Sequence, residues 1–248
     1  MAHTKKQRTA GDLHHRVNPR GAGLRFEWIA DAERVRVEGI AALTSLRHGA
    51  MLSVSLQTLN GIVRFQFNDA KTAQAAAHLL GLSGGTMSYM VLIKLMYLAD
   101  RQMLLDHGRP ITGDRPFSMK HGPVLSNVLD FITHGPTREP DSAWFTLIGE
   151  PRGYDVSLKV ATPPTDELSR YELQLLQQTY EKYGGIGKAN RWDLVDLLHK
   201  ILPEWKDPGG SASRIEYVDI LRAEDWSDED IALLKSQADS AWFLSSLG

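Results

Sequence analysis

Between Ser88 and Asp106 the chain is apolar on two neighbouring helical faces. Tyr89, Leu92, Met96, Ala99 and Met103 fall on one, and Ile93, Tyr97 and Leu104 fill the other. A helix that is apolar over so much of its circumference has to be packed on several sides. The pattern therefore predicts a central helix, ending at His107-Gly108, with the remaining elements arranged around it. Its most apolar run, Tyr89 to Ala99, is about half the length needed to cross a bilayer and contains Lys94, so no membrane span is expected. No apolar stretch follows Met1-Ala2-His3-Thr4-Lys5-Lys6 to make a secretory signal. With no cysteine, disulfides, thiolate metal sites and cysteine nucleophiles are excluded, and a reducing, cytoplasmic setting is the expectation.

Around this centre the sequence divides into three parts. Residues 1–23 are polar and mildly basic, which reads as a flexible lead. Residues 24–68 read as a β-containing extension. Its first half fits short strands and a helix equally, while Leu52-Val54-Leu56 and Val63-Phe65-Phe67 alternate about Asn60-Gly61 as a hairpin would. Met51 stands just before that hairpin as a second candidate start. Residues 69–248 read as one mostly α domain with small β-hairpins, an α+β chain overall. Asn68 and Asp69 offer N-caps for a helix through Ala73, Ala76 and Leu80, broken at Ser83-Gly84-Gly85. Pro123 suits the first turn of a helix carrying Val124, Val128 and Ile132. Trp144–Ile148 and Tyr154–Val160 read as a second hairpin about Glu150-Pro151-Arg152-Gly153. Thr165 caps a helix with Leu168, Leu175, Leu176 and Tyr180 that Gly184-Gly185 closes. Asn190 starts another, with Trp192, Val195, Leu198 and His199, stopped by Pro203. Short helices over Tyr217–Leu221 and Asp228–Leu247 finish the chain, the last capped by Ser227.

The charge balance narrows the function. With 28 Lys and Arg against 30 Asp and Glu, and a sequence pI near 6.5, no chain-wide positive field is available for neutralising phosphates, which argues against a nucleic-acid partner. No G-x-S-x-G occurs, and Gly184-Gly185-Ile186-Gly187-Lys188 lacks the spacing and the hydroxyl residue of a phosphate loop. His121, His134 and His199 with Asp100, Asp106 and Asp114 offer imidazole and carboxylate, but without an i, i+4 His pair or H-E-x-x-H. No metal and no cofactor is expected.

Three segments in order then carry a resemblance. Ile93-Lys94-Leu95-Met96-Tyr97-Leu98-Ala99-Asp100 is followed by Gly108-Arg109-Pro110-Ile111-Thr112-Gly113-Asp114, and then by Phe117-Ser118-Met119-Lys120-His121-Gly122-Pro123-Val124. Leu198-His199 with Pro203-Glu204-Trp205 adds a fourth. Together, over about residues 69–234, they resemble the Panacea domain of SocA-like antitoxins, with Met119 near the position where the family has a small residue. The resemblance implies a compact helical domain that serves as the antitoxin of type II toxin–antitoxin pairs, whose partner is a cognate toxin protein. In one branch it also implies an adaptor that presents its toxin to a protease. Lys94, Tyr97, Asp100, Gly113, Asp114, His121, Gly122, Pro123, His199 and Trp205 are its motif residues, in structural or partner-binding roles.

From the residues themselves, Asp100 is expected to hold the Gly122-Pro123 turn by accepting backbone N–H bonds, and that turn to set a sharp helix start. Trp192 and Trp205 are expected in the core. Trp226, Trp242 and Phe243 are the candidates for partner contact. Besides the antitoxin, two other readings stand: an adaptor or mobile-element protein that binds a host protein without a toxin, and an enzyme using His121, His199 and a carboxylate for acid–base work.

Overall fold

The computed structural model describes residues 62–137 and 140–245. The lead, the first half of the extension, Met51 and the first arm and turn of the N-terminal hairpin lie outside them. The hairpin's second arm does not form a strand. Residues 62–67 run without regular structure, with Val63 fully buried and Phe65 and Phe67 packed on the core.

Helix α1 (Asp69–Leu82) starts at Asn68, whose side chain accepts the Lys71 N–H at 2.9 Å. Its alanines, Ala73 and Ala75–Ala77, are buried, and their small size brings its backbone close to its neighbours. The short strand β1 (Thr86–Ser88) leads directly into α2 (Tyr89–His107). Twelve of the 19 residues of α2 are buried, as its apolar circumference predicts, and it touches α1 on one side and the later elements on the others. Gly108, in the left-handed region, ends it.

Strands β2 (Pro116–Met119) and β3 (Gly122–Leu125) form a hairpin in which Ser118 faces Pro123. Here the sequence expectation is corrected: Pro123 begins no helix but lies in β3. β3 is an edge strand, where a missing N–H costs the sheet nothing. The helix starts three residues later, as α3 (Ser126–His134).

The second expected hairpin is also corrected. Trp144–Leu147 is a single helical turn, α4, because Asp69 accepts the Ala143 N–H at 2.6 Å and the Ser142 hydroxyl at 2.7 Å and so anchors its start. Strand β4 (Asp155–Ser157) pairs with β1, with Met87 opposite Val156, and the link back to α4 is a short one, the bridge between Ile148 and Leu158 with the Gly149 N–H donating to Ser157 and the Lys159 N–H to Leu147.

Helix α5 (Arg170–Thr179) is closed at its start by a Ser169–Glu172 capping box, four residues after the expected cap at Thr165. Gly184-Gly185 does not stop it. Both glycines hold helical angles (φ −62°, ψ −39°), and the chain widens through a π-helical turn (Tyr180–Gly184) into α6 (Gly185–Ala189). Asn190 caps α7 (Arg191–Ile201) as expected, accepting the Trp192 N–H. Strand β5 (Ser213–Arg214) joins β2, giving the sheet order β3-β2-β5. Helices α8 (Tyr217–Ala223) and α9 (Asp228–Ser245) complete the described chain, with Ser227 capping α9 through the Asp230 N–H.

Candidate functional site

The motif residues gather where α2 meets the β2–β3 hairpin and the segment after α7. Lys94 projects from the middle of α2 and is 2% exposed. Its ammonium donates to the Pro123 carbonyl at 2.7 Å, and burial drives its pKa down to about 7. Gly122 makes this approach geometrically feasible. Its φ is +89°, and a Cβ there would sit 3.4 Å from the Lys94 ammonium and 3.5 Å from His199 Nε2. The His199 ring stacks on Trp205, centroids 3.7 Å apart, and Trp205 Nε1 donates to the Met119 carbonyl at 3.0 Å. Burial, and then the nearby Lys94 charge, lower the His199 pKa, and its buried Nε2 finds no hydrogen-bond partner among the described residues. His121, on the hairpin turn, is exposed and meets the edge of Trp192 at 5.0 Å.

Nearly two turns further along α2, Asp100 accepts the N–H groups of Ile111 and Thr112, both at 3.1 Å, and the Thr112 hydroxyl. It therefore holds the loop before the hairpin and not the Gly122-Pro123 turn. That turn is held by Lys94. Burial pushes the Asp100 carboxyl up to about 7, against the hydrogen bonds from Thr112. Gly113 follows with φ +69°, its α-carbon pressed so close to the Gln66 carbonyl that a Cβ would lie 2.0 Å from the oxygen. Asp114, which burial raises to about 6, accepts the N–H groups of Arg115, Asn127 and Val128 and so caps α3. Its own carbonyl accepts the Tyr217 hydroxyl.

Tyr97 donates to Glu204 Oε1 at 2.6 Å, and Arg101 grips the same carboxylate with Nε at 2.8 Å and Nη2 at 3.2 Å. Nη2 also reaches Glu224 at 2.6 Å. Burial, followed by the Glu204 charge, raises the Tyr97 pKa well above its ordinary value. The arrangement ties α2, the Pro203-Glu204-Trp205 segment and the end of α8 together. Chemically it is a set of satisfied clamps: each carboxylate and Lys94 is turned inward onto backbone or a partner side chain.

Most of these residues, though not Gln66, Tyr217 and Glu224, fall within 92–206, and over that span the chain matches the family model of the antitoxin SocA-like, Panacea domain. Residues 92–206 are thus similar to a Panacea domain. The match is narrower than the span from residue 69 to 234 over which the sequence resemblance extends. No curated protein and no solved structure matches the chain significantly.

The fold brings together Lys94, Gly122, Pro123, His199 and Trp205 in one cluster and Asp100, Gly113 and Asp114 in another. It leaves the other candidates apart. His134 sits on the exposed end of α3 with its Nδ1 3.4 Å from Asp130, and Asp106 accepts from Tyr171 and Gln102 on the surface of α2. Among the described residues no three His, Asp or Glu side chains gather in a way that could hold a metal ion. Trp205 is half-buried as a core residue, but Trp192 is 43% exposed, contrary to expectation, while Trp144 is fully buried. Trp242 and Phe243 are 49% and 59% exposed on α9. Half-buried Trp226 lines a groove of about 860 Å³ with Leu98, Leu105, Leu175, Tyr183 and Ile201. Sequence reasoning missed Arg101, Glu204, Thr112 and Tyr217. Glu204 stood in a quoted motif beside Trp205, and a carboxylate between Pro and Trp after an apolar helix was the available signal. No helix of the described residues is long and apolar enough to cross a membrane.

Proposed function

We propose that the protein is the antitoxin of a type II toxin–antitoxin pair, silencing a cognate protein toxin in the cytoplasm by direct contact and performing no reaction of its own. The family match carries this reading. The geometry supports it, since the motif carboxylates and Lys94 are committed to backbone and side-chain partners inside the fold, which is the behaviour of a scaffold that presents a surface. The contact is assigned to the exposed aromatic end of α9, Trp242 and Phe243, or to the groove that Trp226 lines before that helix, because large aromatic anchors dominate the energetics of such interfaces.

The test is growth of cells expressing the neighbouring open reading frame with and without this chain, followed by co-purification of the two products. Toxicity relieved by this chain together with a stable complex is the expected result. A harmless neighbour, or rescue without a complex, overturns direct neutralisation, and a partner recovered without any toxin moves the adaptor reading ahead.

A further inference from the structure

A second site lies at the N-terminal end of α2. A cavity of about 460 Å³ is walled by Ser88, Tyr180, Lys188, Arg191, Trp192 and Asp155. Three features of its wall are unusual. First, Ser88 occupies the N-cap position of α2 yet makes no capping bond. Its hydroxyl is buried without a partner among the described residues. Second, the Arg191 guanidinium lies 4.3 Å from the Tyr154 ring centroid and 5.7 Å from that of Trp192, and its buried Nε also has no acceptor. Neither Arg191 nor Lys188 forms an ion pair among the described residues. Third, the π-helical turn Tyr180–Gly184 forms part of the wall. Such turns are rare and concentrate at functional sites. Gly184 permits it, because a Cβ there would strike the Tyr180 ring at 2.6 Å.

Buried donors without acceptors are costly, so native folds keep few of them and each asks for an explanation. The two residues that carry them line one cavity, Arg191 held in place by aromatic rings and a second cation, Lys188, on the same wall, a composition suited to a negatively charged oxygen group. The wall carries one carboxylate, Asp155, against the two cations, and it forms no ion pair with either of them among the described residues. The N-terminus of α7 contributes nothing, since Asn190 already accepts its Trp192 N–H and Asp193 lies in its first turn.

We propose that this cavity is a binding site for an oxyanion, a phosphate or a carboxylate, gripped by Arg191 and Ser88 with Lys188 at its margin. It is separate from the surface assigned to the toxin and does not rest on that reading. The cavity lies within the size range of small-ligand sites.

The test is calorimetric titration of the full-length chain with inorganic phosphate and, separately, with N-acetylglutamate amide. Saturable binding of at least one is expected, weakened about tenfold or more in Arg191→Gln because a charge-assisted hydrogen bond is lost. It should weaken to a lesser degree in Ser88→Ala and Lys188→Gln. Thermal unfolding of each variant separates lost binding from lost folding, and Ser88→Ala carries the test if Arg191→Gln does not fold. Tighter binding of phosphate names a free or esterified phosphate as the source, whereas tighter binding of the glutamate probe names a carboxylate from a protein chain. Absence of saturation by either probe at about 10 mM, or binding unchanged in both Arg191→Gln and Ser88→Ala, overturns the proposal.

Discussion

Along the middle of α2, Lys94, Tyr97, Asp100 and Arg101 each end on a group that another element supplies: a carbonyl of β3, the carboxylate of Glu204, two N–H groups of the loop before β2. At the N-terminal end of the same helix, Ser88 and its neighbour Arg191 keep buried donors with nothing to bond. Those four side chains of α2 are satisfied once the chain has folded, whereas Ser88 and Arg191 are not. Polar groups inside a protein are kept either because the fold needs them or because something else does, and here one helix shows both cases.

The sharpest way to break this comparison is at Glu204. Glu204→Ala strands the Tyr97 hydroxyl and leaves Arg101 with Glu224 alone, and is expected to cost about 3–5 kcal/mol in urea unfolding, as for a buried ion pair that loses one member. A cost near zero would mean that the motif region is not a set of clamps. The contrast sharpens at Lys94, through pH. Its folded pKa of about 7 lies below the ordinary 10.5, so between those values the unfolded chain binds more protons and stability rises with pH, and is lost as pH falls toward 7. Stability of the wild-type chain relative to Lys94→Met is expected to climb from pH 7 to pH 10, by at most about 1.4 kcal/mol per pH unit. A flat difference would place a charged ammonium in the core. Asp100 and Asp114 act with the opposite sign. Their raised values, about 7 and about 6, favour the fold at acid pH, and that contribution is lost as pH rises through them.

Gly122→Ala tests the backbone share of the same region, and about 1–2 kcal/mol is expected from forcing an L side chain to φ +89°. The smallest effect belongs to the region of Ser88 and Arg191: Trp192→Ala, at a largely exposed ring, should change unfolding by about 0.5–1 kcal/mol through its contacts with Arg191 and His121. If it costs several times more, the cavity wall is part of the core.

How far the fold could be read in advance depended on whether the deciding interaction was local. The extent of α2 and the caps at Asn68 and Asn190 were legible, because periodicity, a following glycine and an Asn side chain act within a few residues. The pairing of Asp155–Ser157 was not, since its partner is Thr86–Ser88, some seventy residues earlier. The turn at Trp144 depends in the same way on Asp69. Gly184-Gly185 misled for a different reason: glycine permits a helix stop without requiring one, and here Gly184 accommodates the Tyr180 ring inside a continuing helix. The motif residues were identifiable by resemblance, but their assignment to partners was not. Lys94 and Asp100 lie six residues apart on one helix, and only the folded hairpin decides which of them reaches Pro123. The cavity left no trace in the motifs, because Ser88, Lys188 and Arg191 come together from two ends of the domain.

The Glu204 clamp also bears on how the protein is made. Tyr97 and Glu204 are 107 residues apart in sequence, and Tyr217 and Asp114 are 103 apart. On a ribosome adding roughly 5–20 residues per second, α2 therefore leaves the exit tunnel on the order of ten seconds before the residues that complete its surroundings. Throughout that interval the face of α2 that receives Glu204 stays uncovered, so a newly translated copy completes its fold only once its last third has emerged.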